Sequence, residues 1–257
     1  MRLMHWKKIL SRSSLTIPAV RSPRRRELLT IKPMSNILIL DVETLAMQEA
    51  DIRAKLPPFD PNKVKLGVLK DPDKIRAKLA EAEAEHGNDE VADGALHATT
   101  GTLAIVGFRR GEGVKQYHIG EMTEPQMIEA TFVNILAAFD KGVIVSGFFI
   151  KGFDLPFIVQ RAWLLGVKVP PRIFNAFKPR YPWSENIVCL QEVWLAGSGA
   201  QFGARVSLAT VLRELGLPPK SGSGADFGTL WASDQRAALQ YNADDLAVEM
   251  QLAERLI

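Results

Sequence analysis

Four carboxylates lie in three segments far apart in the chain, and each segment has flanks that would bring it to one point in a fold. They are Asp41 and Glu43 in Asp41-Val42-Glu43-Thr44, directly after the apolar run Ile37-Leu38-Ile39-Leu40, then Asp154 in Phe153-Asp154, then Asp245 in Tyr241-Asn242-Ala243-Asp244-Asp245. A site that gathers four acids and almost no bases is no anion pocket. Packed together, the acids would repel and raise one another's pKa values unless cations sat among them. Hard divalent cations such as Mg²⁺ or Mn²⁺ prefer oxygen ligands, and two of them about 3.5–4 Å apart can clamp both oxygens of a phosphoryl displacement.

Each motif has local geometry that favours this reading. Asp41 and Glu43 end a strand, and the period of two turns both toward one face. An aspartyl-phosphatase strand end of the form Asp-x-Asp is disfavoured, because position 43 is Glu. Pro156 suits a first helical turn and puts Asp154 at or near an N-cap, where the helix dipole favours its ionised form. Tyr241 and Asp245 are spaced i, i+4 on a terminal helix, and Val248, Leu252 and Leu256 continue the same stripe. An acid on an apolar stripe is costly unless paired or metal-bound. Asp244 lies about 100° away around the helix and can point to water.

The expected order of elements is a strand at 36–41, a long excursion over 46–100, and a hairpin (Thr102 to Phe108, then Val114 to Ile119). A helix at 124–140, a strand at Val143 to Val145, a helix from Pro156 to Leu165, a strand at Ile187 to Leu190 and helices at Leu208 to Leu215 and Ser233 to Leu256 follow. The excursion contains a charged, Ala-rich helix from about Asp71 to His86, with Asp71 as N-cap, and too few large apolar residues for a second core. Ser233 is the candidate N-cap of the last helix or helix pair. This is an α/β pattern, a mixed sheet flanked by helices, in which sites form at strand ends.

Together the three motifs resemble the DEDD superfamily of 3′–5′ exonucleases, in the branch whose third motif carries tyrosine. Within that branch the chain resembles the predicted exonucleases similar to the proofreading domain of family-B DNA polymerases. The resemblance covers about 34–257, least securely the 46–100 insertion. It implies an RNase H-like five-stranded mixed sheet and phosphodiester hydrolysis at single-stranded 3′ ends, DNA favoured, with two divalent cations, Mg²⁺ or Mn²⁺. Asp41, Glu43 and Asp154 would hold the first cation, with Asp245 completing that site, and Asp41 would bridge to the second. Tyr241 would orient the attacking water. His5, His86, His97 and His118 all precede the second motif, so the histidine branch lacks its base here. The rival reading is a catalytically weak nucleic-acid-binding module.

The resemblance assigns Thr44 and Leu45 to the terminal nucleotide. It departs at Phe149, where relatives carry an Asn four residues before Phe153. Lys151 with Phe148 and Phe149 is the candidate substitute contact to backbone and bases. Phe149 as an ordinary core residue is the alternative. Lys178, Arg180, Tyr181 and Trp183 form a basic-aromatic loop that either guides single strands or is plain surface.

Charge separates the chain in two. Residues 1–33 hold nine of the 32 Lys and Arg and only Glu27 among the 29 acids, so residues 34–257 carry a net charge of −5 within an overall +3. Bulk charge of the body therefore gives no support to nucleic-acid binding, and the case rests on the site. Three readings of the extension stay open: an organellar transit peptide, a nucleic-acid-binding arm, or translated sequence upstream of a start at Met34. Arg12 interrupts the apolar core a secretory signal needs. Cys189 is the single cysteine, which fits a reducing compartment, and the expected location is the cytoplasm. No apolar run reaches the roughly 18 residues of a membrane span. A replication or repair partner stays unspecified.

Overall fold

A computed structural model describes residues 36–176, 186–199 and 204–257. The extension at 1–33 and the loop bearing Lys178, Arg180, Tyr181 and Trp183 lie outside these residues.

The apolar run continues straight through the first acidic motif: β1 spans Ile37–Ala46, so Asp41 and Glu43 lie inside the strand and not at its end. The reason is pairing. β2 (Gly101–Arg110) runs antiparallel beside β1 and opposes Asp41 with Gly107 and Glu43 with Ile105, with a register shift after Glu43. β3 (Gly113–His118) completes the hairpin, turning at Gly111, whose φ of 56° lies in the region that glycine adopts freely. Between β1 and β2 the insertion forms α1 (Glu49–Lys55), α2 (Pro72–Ala84) and α3 (Asn88–Ala92). Asp71 caps α2, accepting from the N–H groups of Asp73 and Lys74. The helix has no buried residue. Ile52 of α1 and the nearby Ala98 are buried, and they anchor the insertion to the sheet.

α4 (Glu124–Asp140) follows, with Gln126 folded back on the Thr123 N–H at 3.0 Å. Then come β4 (Ile144–Gly147), α5 (Asp154–Leu164), α6 (Pro171–Ala176), β5 (Ile187–Cys189) and α7 (Leu190–Ser198). Neither α6 nor α7 is expected from the sequence: α6 forms in a loop-like Pro/aromatic stretch, and α7 starts at Leu190, the last residue of the expected strand, and runs on through an unassigned stretch. α8 (Leu208–Leu215), α9 (Phe227–Ser233) and α10 (Gln235–Leu256) close the chain. The N-cap of α10 is Asp234, whose side chain accepts from the Ala237 N–H at 3.0 Å. Ser233 instead ends α9, its hydroxyl turned back to the Thr229 carbonyl at 2.9 Å. Asp at the cap brings a charge-assisted acceptor, which outcompetes the neighbouring hydroxyl.

Among the described residues the sheet has five strands in the order β3-β2-β1-β4-β5, with β4 and β5 parallel to β1 and the hairpin antiparallel. It is the RNase H-like mixed sheet flanked by helices. β1 is central, and its side chains alternate between two covered faces. Leu40 and Val42 join the larger core against α4 and α5, while Ile37 and Ile39 pack against α8 and α10. Further along that second face, Ile105 meets Phe227, Trp231 and Tyr241. Asp41 and Glu43 continue the odd-numbered series and so face α10, between those two apolar clusters. No helix among the described residues is long and apolar enough to cross a membrane.

Candidate metal centre

α10 lies across the face of β1 that bears the two acids and brings Tyr241, Asn242, Asp245 and Glu249 to them. One carboxylate oxygen each from Asp41, Glu43 and Asp245 falls within 4.8 Å of the others. Glu43 and Asp245 are buried and Asp41 is half-buried. Asp245 sits on the same buried stripe as Tyr241, Val248 and Leu252. Asp244 turns outward and accepts from Gln240 Nε2 at 2.8 Å on the exposed side.

Asp154 approaches from a different direction. Pairing of β4 with β1 stops at Ile39 and Ser146, so the β1 edge is free beyond that point. The Val42 N–H there donates to Asp154 Oδ1 at 3.1 Å. Asp154 is buried at the start of α5 and stands outside the three-carboxylate group, although it is close enough to act electrostatically on Asp41 and Glu43.

Three contributors were not found from the sequence. Glu249, one turn beyond Asp245, is buried and accepts the Phe148 N–H at 3.2 Å. Its i+4 spacing from Asp245 was the signal available. Lys220, in the loop before α9, puts its ammonium 2.6 Å from Asp245 Oδ2 and 4.9 Å from the centroid of the Tyr241 ring. A loop lysine has no periodicity to betray it. Asn242 is fully buried and donates from Nδ2 to Asp41 Oδ2 at 2.8 Å.

The acids respond to crowding and burial. Removal from water, followed by the charges of Glu43, Glu249, Asp154 and Asp245, pushes Asp41 well above the carboxylate range. Burial pushes Glu43 up to about 8, with Lys220 pulling the other way. Burial pushes Asp154 up to about 7, moderated by its backbone hydrogen bonds. Asp245 is raised by burial and restrained by Lys220. Burial opposes the charge on Lys220, but Asp245 and Tyr241 together outweigh it and hold the ammonium protonated. Burial likewise keeps Tyr241 a neutral phenol.

One lysine does not balance this many acids. The Lys220 ion pair aside, neither Asp245 oxygen accepts a well-directed hydrogen bond, and the buried Tyr241 Oη makes none either, although Lys220 and Asp245 lie close enough to act on it. Native interiors leave few such groups unsatisfied. An all-oxygen, anionic donor set with spare lone pairs suits a hard divalent cation, and these three acids could hold a metal ion.

The remaining residues singled out from the sequence are dispersed. Thr44 donates its hydroxyl to the Ala95 carbonyl at 2.7 Å, tying β1 to the insertion. Leu45 is half-buried beside the Phe227–Trp231 cluster. Phe149 packs against the second core, with the exposed Arg205 guanidinium 5.7 Å from its ring centroid. Phe153 packs on the main core with its ring 5.5 Å from Phe157. Lys151 is buried in an ion pair with Glu192 at 3.2 Å, so its ammonium is turned into the protein and not toward a bound strand. Its carboxylate partner 41 residues away made that placement invisible to local pattern.

No family model matches the sequence, and no curated protein matches it either. Among solved structures it is similar to the family B DNA polymerase from the hyperthermophilic archaeon Pyrobaculum calidifontis. The TM-score is 0.50 and the identity 17%, over 86% of this chain and 24% of the polymerase. The chain therefore spans about a quarter of that protein's length, and at this identity the likeness is one of fold.

Proposed function

We propose that the chain is a metal-dependent 3′–5′ exonuclease that hydrolyses single-stranded nucleic acid from its 3′ end, DNA favoured, in the cytoplasm. The observation that carries this reading is the convergence of Asp41, Glu43 and Asp245 beside a buried Tyr241 hydroxyl that makes no well-directed hydrogen bond. The family-B polymerase likeness in fold and the motif order support it. Asp41, Glu43 and Asp245 would hold one divalent cation, Mg²⁺ or Mn²⁺, and Asp154 with Asp41 a second. Such cations supply Lewis-acid stabilisation of the phosphoryl oxygens and lower the pKa of water.

The chain's own residues do the rest. Tyr241, kept neutral by burial, offers a hydroxyl to orient the attacking water. Lys220 offsets the charge of Asp245 and fixes its carboxylate. Thr44 and Leu45 follow Glu43 by one and two positions along β1, where a terminal nucleotide would meet the strand. The test is degradation of 5′-labelled single-stranded DNA and RNA, side by side, in Mg²⁺ or Mn²⁺ against EDTA. Stepwise shortening from the 3′ end only with metal is expected. Strand binding without any metal-dependent cleavage would replace this reading with the binding-module one.

A further inference from the structure

Asn242 sits between the two residues of the third motif and has no role in the chemistry described above. It is fully buried on α10, yet it is polar on both ends, and both ends are used. Its Nδ2 donates to Asp41 Oδ2 at 2.8 Å. Its Oδ1 accepts from Gln116 Nε2 at 2.9 Å, and the same Gln116 amide donates to the Leu239 carbonyl at 2.8 Å. Gln116 thus decides which end of the Asn242 amide faces Asp41. With Oδ1 engaged by a donor, the NH₂ group must face the carboxylate.

The sheet makes room for this amide at one residue. Gly107 stands opposite Asp41 across the β1–β2 pair. A Cβ at position 107 would lie 2.2 Å from Asn242 Oδ1 and 2.8 Å from Leu246 Cδ1. Neither approach is tolerable, so any side chain there displaces α10 or expels the amide. A glycine inside an otherwise apolar strand marks such a close backbone approach.

We propose that Asn242, locked by Gln116 and admitted by Gly107, is a positioning residue that holds the Asp41 carboxylate in its cation-binding orientation. The proposal rests on the metal-dependent reading above. The chemistry favours a neutral amide over a lysine at this place. It donates one directed hydrogen bond to one oxygen, leaves the other oxygen for a cation, and adds no positive charge to compete with that cation. Hydrogen-bonded partners of metal ligands act in this way, and losing one typically costs about 10–100-fold in metal affinity.

The experiment is Mn²⁺ binding to the full chain, followed by electron paramagnetic resonance and calorimetry, alongside nuclease rate against Mn²⁺ concentration. Asn242→Ala should weaken Mn²⁺ binding by about 10–100-fold, with much of the rate recovered at saturating Mn²⁺. Gly107→Ala should show the same defect without touching Asn242, and the double variant should be no worse than either, because both remove one contact. Gln116→Ala, a half-buried edge-strand change that leaves the core intact, should weaken Mn²⁺ binding several-fold. A folded Asn242→Ala protein with wild-type Mn²⁺ affinity overturns the proposal, as do losses that add in the double variant. Should Asn242→Ala not fold, unchanged affinity in Gln116→Ala overturns it equally. Wild-type protein that binds no Mn²⁺ overturns the metal-dependent reading as well, whereas wild-type binding with an unaffected Asn242→Ala overturns this proposal alone.

Discussion

Without metal, the acidic centre should make the fold less stable as pH rises, and Glu43 allows the size of the effect to be worked out. Burial lifts its pKa from 4.5 to about 8. Between those values the native state keeps a proton that the unfolded chain has lost, so unfolding releases a proton and rising pH favours it. The stabilisation is complete below pH 4.5 and is lost as pH climbs through about 8. Each full pH unit inside that window is worth about 1.4 kcal/mol, and because the native group is half ionised by pH 8 the step from pH 6 to pH 8 removes about 2 kcal/mol through Glu43 alone. For a chain of this size that corresponds to about 4–8 °C in Tm. Asp154, raised to about 7, adds to the same slope over the lower half of the step. Glu43→Gln keeps the shape and removes the proton equilibrium. In EDTA, urea unfolding at pH 6 and 8 should show the variant gaining about 2 kcal/mol on wild type as pH rises. Mn²⁺ at pH 8 should restore stability to wild type far more than to the variant, since binding to the native state alone stabilises by mass action. Parallel pH profiles for wild type and Glu43→Gln in EDTA would refute the reasoning, because they would mean that Glu43 is ionised in the fold at no cost.

In the third motif, Asp245→Asn should nearly abolish turnover and Tyr241→Phe should lower it by about 10²–10⁴-fold, while Asp244→Asn changes little; single-turnover degradation of labelled DNA ranks them, and a worse defect at Asp244 refutes the assignment. Arg161 is buried, bidentate to Glu124 at 2.7 and 2.5 Å, and donates to the Ala98 carbonyl at 3.0 Å, so it ties α5 to α4 and to the insertion. Arg161→Ala should cost about 3 kcal/mol in urea unfolding by leaving the largely covered Glu124 without its counter-ion and the Ala98 carbonyl without its donor. A protein starting at Met34 should retain folding and nuclease activity, since the body carries its own acidic centre; loss of either in circular dichroism or the nuclease assay would count against that division of the chain.

What the sequence revealed and what it hid follow one physical division. Strand and helix periodicities are local, so β2, β3, α4, α8 and the Asp71 cap were legible, as was the facing of Asp41 with Glu43 and of Tyr241 with Asp245. The extent of β1 was not, because its continuation to Ala46 depends on β2, which begins 55 residues further on. Charge balance was the least legible property. A carboxylate ligand announces itself by being out of place in an apolar run, but the groups that make it tolerable come from elsewhere in the chain. Lys220 reaches Asp245 from a loop, Glu249 is hidden among helical acids, and Asn242 is useful only because Gly107 and Gln116 lie on the other side of the sheet pair. Lys151 is the same lesson reversed: a lysine beside the second motif invites a role at the substrate, and only the placement of Glu192 shows where its charge is spent. Residues that would bind the cation are therefore readable one motif at a time, whereas those that orient and neutralise them become visible only when the three segments meet.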